Sequence, residues 1–270
     1  SKIPHPKRVI APLALMIIAA LVFSARNQAA YWQNSQTLFE HALNVTENND
    51  LAHNNLGTAL QELEHTDEAI FHFLQALRIN PDFELAHVNI GNSLNNLERT
   101  EEAVFHYQQA LRIKPDYADA HYNLGIALTS LGQTEESINH YRQALKINPD
   151  YGNAHYNLGV ALSTIGLFED AIHHFKQSLK IDPDLEDSHF NLGVALYKTG
   201  QTDEAIRHYQ EAIAINPDNA MSYYSLAVAF YRKGDMTQAI KHLQTAVKLN
   251  PDYTPAKNLL KRLQNMQISK

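Results

Sequence analysis

A chain of 270 residues with a formal net charge of −7 and scattered basic residues lacks the basic face that nucleic-acid phosphates require, which excludes nucleic acid as a main partner. The absence of cysteine excludes disulfides and thiolate chemistry and leaves the redox compartment unread. The length would allow two compact domains, yet no linker or low-complexity tract interrupts residues 27–267.

The first element is a basic flank and an uncharged run at 1–26. Residues 9–25 (VIAPLALMIIAALVFSA) follow Lys2, Lys7 and Arg8 and precede Arg26. As a helix, this run spans about 25 Å, a little short of a bilayer core of about 30 Å but within the usual range. Pro12 falls in the first turn, where its missing N–H costs little. A membrane helix is the favoured reading. A signal peptide fits the basic start and apolar centre, but Phe23-Ser24-Ala25 is a poor cleavage site; a buried helix is the third alternative. More basic residues before the run than after it place the amino-terminal side in the cytoplasm and the rest of the chain on the non-cytoplasmic side of a membrane. The opening serine suggests a piece of a longer protein, of which this run would be the last span.

Residues 27–49 hold a half unit: Ser35 to Leu43 reads as a second helix, with Trp32 just before it. From 50 to 253 the chain repeats itself. Pro81, Pro115, Pro149, Pro183, Pro217 and Pro251 recur every 34 residues and close six repeats, at 50–83, 84–117, 118–151, 152–185, 186–219 and 220–253. A fixed period of this kind marks a stacked array without a single closed core. Leu56, Ala59 and Leu60, with their equivalents Leu124, Ala127 and Leu128, lie on one face of a first helix. A second helix is expected to open near Thr66-Asp67-Glu68 and its equivalents, with the threonine as cap and the acidic pair at the positive dipole end. It should stop before each proline, which forces its predecessor out of helical geometry. Small residues at Gly57, Ala69 and Ala76, repeated at Gly193, Ala205 and Ala212, let helix axes approach closely. Residues 254–270 hold a capping helix with Ala256, Leu259, Leu260, Leu263 and Met266 on its apolar face.

These residues resemble the tetratricopeptide repeat, a 34-residue helix–turn–helix unit, and the resemblance covers 50–253. Ser137 and Ser178 stand in for alanines, Ala227 for the glycine, and Glu64 and Glu98 stand where Gly132, Gly166, Gly200 and Gly234 turn the chain. The resemblance implies an all-α, right-handed superhelix (an α-solenoid) that binds proteins along its inner surface. The stretch 20–57 is similar to the junction in transmembrane proteins related to protein O-mannosyltransferases, which implies a repeat tail outside the cytosol and a catalytic body elsewhere.

Three constellations are candidates for function. Asn55, Asn89, Asn123, Asn157 and Asn191 occupy the sixth position of successive repeats, and Ser225 ends the row. An amide carries a donor and an acceptor and can pair with one peptide unit. The row resembles the asparagine ladder of the O-linked N-acetylglucosamine transferase family, which implies capture of extended polypeptide; alternatively each amide bonds the neighbouring helix. Around the row, Tyr122, Tyr156, Phe190, Tyr197, Tyr224 and Arg232 supply the aromatic and basic contacts that interface hot spots favour. The family's carboxylate clamp needs a lysine at the fifth position, which no repeat has. Histidine, finally, fills the fourth position at His53, His87, His121, His155 and His189, and the twenty-third at His72, His106, His140, His174, His208 and His242. Equivalent histidines on helices about 8–10 Å apart are too distant to share a zinc ion, so no metal is expected. Their titration near neutrality would make partner binding sensitive to acid.

No phosphate loop, nucleophile elbow or zinc-protease motif occurs, so neither catalysis nor a cofactor is expected of this chain. The expected function is an interaction scaffold, tethered to a membrane through residues 9–25, that holds a protein or peptide segment in extended form. Recruitment of substrate for a glycosyltransferase whose catalytic part lies outside the chain is one alternative, and self-association of the array is another.

Overall fold

A computed structural model describes residues 34–268, apart from the Ile268 side chain. The apolar segment 9–25 and Trp32 lie outside the described residues; among those described, no helix is long and apolar enough to cross a membrane. The described residues form fourteen helices and no strand. The chain divides into two compact units, one up to Pro115 and one from Asp116. The first holds α1 (Ser35–Val45), α2 (Asp50–Glu62), α3 (Thr66–Ile79), α4 (Glu84–Asn96) and α5 (Thr100–Ile113). In the second are α6 (Ala118–Ser130), α7 (Thr134–Ile147), α8 (Gly152–Thr164), α9 (Phe168–Ile181), α10 (Glu186–Lys198), α11 (Thr202–Ile215), α12 (Ala220–Arg232), α13 (Met236–Leu249) and α14 (Thr254–Ile268).

Within each unit the helices pair as hairpins, and each helix packs on the one before and the one after it. First helices also touch the next first helix, α2 on α4 in one unit and α6, α8, α10 and α12 in series in the other. They therefore form the closely packed side of each unit. Within each hairpin the two helices lock through the eighth position of the first and the twenty-fourth position on the second. A Cβ placed on Gly57, Gly91, Gly125, Gly159 or Gly193 would stand 2.6–2.7 Å from the ring of Phe73, Tyr107, Tyr141, Phe175 or Tyr209. In the last repeat the eighth position is Ala227, and the residue facing that slot is Leu243 instead of a ring; both are fully buried. A methyl group and a smaller side chain are exchanged together, as close packing requires.

The second helices stop one residue before the proline dipeptide. Asn80, Asn148 and Asn250 there are extended, with φ between −126° and −132°, the geometry proline imposes on its predecessor. The threonine caps do not form. Thr66, Thr100, Thr134 and Thr202 are already the first helical residues, and the preceding His65, Arg99, Gln133 and Gln201 make no side-chain cap bond. The acidic residues still fall in the first turn. Caps do form elsewhere: Asn34, Asn49, Asn219 and Asp235 accept from backbone N–H groups at the starts of α1, α2, α12 and α13. On α14, Ala256 and Leu263 are buried with Ala227, Leu243 and Ala246, so this helix covers the apolar end of the array. Met266, expected on that face, is exposed.

Each hairpin turns through a residue with positive φ. Gly132, Gly166, Gly200 and Gly234 adopt +76° to +87°, whereas Glu64 and Glu98 are held at +63° and +60°. A left-handed conformation costs a residue with a Cβ roughly 1–2 kcal/mol, offset partly by the extra freedom glycine gives the unfolded chain. Glu64→Gly with Glu98→Gly is therefore expected to stabilise the amino-terminal unit by about 1 kcal/mol in total. A thermal melt checks this; an unchanged or lower Tm would show that the turns are not strained.

Candidate functional site

The asparagines of the sixth position lie half-buried on the first helices, Asn55 on α2, Asn89 on α4, Asn123 on α6, Asn157 on α8 and Asn191 on α10. Three of them bond backward to the fifth position of the preceding repeat. Asn89 Nδ2 donates to Asn54 Oδ1 at 3.0 Å. Asn157 Nδ2 donates to the Tyr122 hydroxyl oxygen at 3.1 Å, and Asn191 Nδ2 to that of Tyr156 at 3.3 Å. Asn191 also donates to the Asp187 carbonyl at 2.9 Å. Of the two uses open to the row, the bond to a neighbouring helix is the one formed at these joints. One N–H of Asn89 and one of Asn157 are thereby engaged, and Asn191 makes two donor bonds. The Oδ1 atoms of Asn157 and Asn191 have no protein partner among the described residues and are not among the buried unpaired atoms, so they face solvent.

The aromatic candidates form a second, adjoining row in the carboxyl-terminal unit. Tyr122 packs on Tyr141 with ring centroids 6.1 Å apart and on Tyr151 at 4.7 Å. Tyr156 packs on Phe175 at 6.2 Å and Phe190 on Tyr209 at 6.0 Å. Each ring is thus held by the ring that fills the glycine slot of its own repeat. Burial pushes the Tyr122 and Tyr156 phenols above their ordinary range, so both keep their protons at physiological pH and both hydroxyls retain a proton to donate. Tyr224 meets Tyr253 edge-on at 5.3 Å. Arg232 lies over the Tyr197 ring, 4.8 Å from its centroid, and its Nη1 donates to the Tyr197 carbonyl at 2.8 Å. Tyr197 and Arg232 are therefore joined across two repeats, and the arginine serves the array while its side chain is still exposed.

The histidines show what sequence reasoning missed. The two columns were read separately, but the hairpin brings them together in five repeats. Nδ1 faces Nδ1 at 2.9–3.0 Å in His53–His72, His87–His106, His121–His140, His155–His174 and His189–His208. In the sixth repeat Tyr223 stacks on His242 with centroids 6.1 Å apart. The signal lay in the co-occurrence of both columns in the same five repeats, 19 residues apart. Proton positions follow from the outer contacts. His155 Nε2 lies 3.0 Å from the Pro149 carbonyl and His189 Nε2 3.0 Å from that of Pro183. A carbonyl only accepts, so these rings carry the proton on Nε2 and their Nδ1 is the acceptor. His174 and His208 must then donate from Nδ1. Burial, and next the facing histidine, push His106, His174 and His208 down to about 4. Among the described residues, no group of three or more histidine, aspartate or glutamate side chains is arranged to hold a metal ion.

Helix hairpins stacked in register, with the first helices presenting a row of amides and a row of rings, define an α-solenoid. The chain belongs to the tetratricopeptide repeat family. The TPR repeat pattern matches residues 91–132, 127–166, 165–200 and 195–234, and the tetratricopeptide repeat pattern matches 51–83 and 220–253. Repeats of this family bind peptides or proteins and are in general scaffolds without enzymatic activity. No curated protein matches the chain. Among solved structures it is similar to YrrB, described as a TPR protein with an unusual peptide-binding site, at 23% identity and TM-score 0.66, over 70% of this chain and 97% of that one. It is similar to PilF of Pseudomonas aeruginosa at 20% identity and TM-score 0.66, over 82% of this chain and 97% of that one. MamA from Desulfovibrio magneticus RS-1 matches at 22% identity and TM-score 0.60, over 63% of this chain and 97% of the other. At these identities the likeness extends to the fold alone.

Proposed function

We propose that the face made by the first helices holds a polypeptide segment in extended form, with the asparagine row as backbone contact and the aromatic row as side-chain contact. The observation that carries this reading is the alignment of solvent-facing Asn157 and Asn191 oxygens beside Tyr122 and Tyr156 on consecutive first helices. The peptide-binding site for which YrrB is described lies on a similar fold and supports the same use here. Affinity would come from many modest contacts on a preformed surface, with little reordering on binding.

The test is binding of random-sequence 12-residue peptides selected against the full chain. Replacing Asn55, Asn89, Asn123, Asn157 and Asn191 together by alanine should weaken the selected peptides at least tenfold, since each net hydrogen bond contributes about 0.5–1.5 kcal/mol. Unchanged affinity in a variant with wild-type helicity would end this assignment of the row.

Tethering to a membrane through residues 9–25, with the repeats on the non-cytoplasmic side, rests on the uncharged run and its basic flanks. A second reading, recruitment of substrate for a glycosyltransferase elsewhere in the same polypeptide, rests on the junction at 20–57. Further membrane spans encoded upstream would favour it over a free-standing scaffold.

A further inference from the structure

We infer that the exposed face of α10 and α12 docks a polypeptide segment through its acidic side chains, with Lys198 and Arg232 as the charge partners and the flanking rings as apolar contact. This deepens the peptide-binding reading and rests on it. The charge pattern selects the occupant. Beyond their first turns, the first helices of the whole repeats in the carboxyl-terminal unit, α6, α8, α10 and α12, carry no aspartate, glutamate, lysine or arginine except Lys198 and Arg232. Both stand at the thirteenth position, and each follows a tyrosine, Tyr197 or Tyr231. In α6 and α8 the same two positions hold Thr129-Ser130 and Ser163-Thr164. Thr129, Ser130 and Thr164 donate to carbonyls of their own helix. A hydroxyl completes the helix end there, so the fold does not need a cation in that place.

Neither cation has an acidic partner among the described residues. Carboxylates at the two adjoining turns are already engaged: Asp203 pairs with Lys233, and Asp235 accepts from the Gln238 N–H at the start of α13. Arg232 is fixed in place, over the Tyr197 ring and bonded through Nη1 to the Tyr197 carbonyl. Its guanidinium therefore lies against the peptide group that joins Tyr197 to Lys198, and both charges belong to one end of α10. That single bond leaves most of a five-donor fork for a carboxylate, which a guanidinium can grip through two parallel bonds. A cation already braced loses less freedom on binding. Phe190, Val194 and Lys198 follow one another at four-residue spacing, as do Tyr224, Val228 and Arg232, so each helix presents one stripe of ring, valine and cation. Phe190, Val194, Tyr224 and Val228 are half-buried and offer apolar surface beside the charge. The fifth positions, where the family's carboxylate clamp places lysine, are Phe190 and Tyr224; the charge here lies two turns further along each helix. With a net charge of −7, the chain as a whole repels acidic peptides, so a preference for one marks this face.

The probes are three 12-residue peptides blocked at both ends, (Glu-Leu-Ser)4, (Gln-Leu-Ser)4 and (Lys-Leu-Ser)4, titrated into the full chain by calorimetry. The glutamate peptide should bind at least tenfold more tightly than the glutamine peptide, and the lysine peptide most weakly. Raising the ionic strength to about 1 M, where charges are screened beyond about 3 Å, should remove most of that preference. Lys198→Gln with Arg232→Gln should bring the glutamate peptide down to the level of the glutamine peptide while helicity stays near wild type. Lys198→Glu with Arg232→Glu should reverse the order in favour of the lysine peptide. Equal affinity of the wild-type chain for the glutamate and glutamine peptides, absence of binding included, overturns the inference and leaves the peptide-binding reading standing if the random library yields binders. A preference that survives the glutamine variant overturns the assignment to Lys198 and Arg232. A glutamine peptide with a free carboxyl end that matches the glutamate peptide would make the chain end the ligand and overturn the side-chain reading. Failure of the wild-type chain to select any peptide from the random library overturns the peptide-binding reading and this inference with it.

Discussion

Gly159→Ala is expected to destabilise the carboxyl-terminal unit by about 1–3 kcal/mol, the usual range for forcing an extra methyl into a packed core. The new Cβ would stand 2.7 Å from Phe175 Cε1 and 2.8 Å from Cδ1. The ring cannot swing away, since Phe175 is fully buried and Tyr156 packs against it. The chain itself supplies the remedy in its last repeat, where Ala227 is paired with Leu243. Phe175→Leu alone should destabilise by leaving a cavity, but with Gly159→Ala the two changes should be less harmful than their sum. A favourable coupling of about 1–2 kcal/mol is expected, within the range for residues in contact. Chemical denaturation of the wild type, both single variants and the double variant measures it. Strict additivity would mean that glycine at the eighth position is not there to admit the ring.

Acid should loosen the array between pH 6.5 and 4. In the folded chain His174 and His208 resist protonation until about pH 4, whereas in the unfolded chain they titrate near 6.5. Within that window the unfolded state binds more protons, so the stability present above pH 6.5 is lost as pH falls and levels off below about 4. For His174 the opposing groups are the facing His155, with His173 and Arg142, and only Asp170 favours the charged form. At His208 the corresponding set is His189, Arg207 and Lys176, against Glu204. A drop in Tm of about 5 °C or more from pH 7 to 4.5 is expected. Carboxylates also contribute to acid lability, so the decisive comparison is the variant His174→Asn with His208→Asn. It should be less stable at pH 7 yet flatter in its pH dependence. A variant as steep as the wild type would show that the pairs do not titrate as their burial requires.

The fate of the sequence expectations follows from how far each reaches along the chain. Helix positions, the proline stops and the small residues were readable because each depends on one repeat and its own period. The threonine cap failed by one residue, since Thr66 and His65 differ in backbone geometry and not in pattern. What reached across repeats was harder to read. That Asn157 would bond Tyr122 depends on side chains 35 residues apart, and two bland-looking asparagine and tyrosine columns do not announce it. The histidine pairs were missed for the same reason, on a shorter path within a hairpin. Any acid sensitivity of partner binding expected from those histidines would act through the hairpins that carry the fourth and twenty-third positions, beside the asparagine row and not within it.

The helices of the carboxyl-terminal unit touch partners close by in the chain, and nothing ties its first hairpin to its last. Such a body has no single point of rupture. Drawn out by its two ends, it should unspool hairpin by hairpin, with extensions in multiples of 34 residues, and rewind as readily when the tension is released. A scaffold of this kind can be stretched by what it carries without losing its remaining turns.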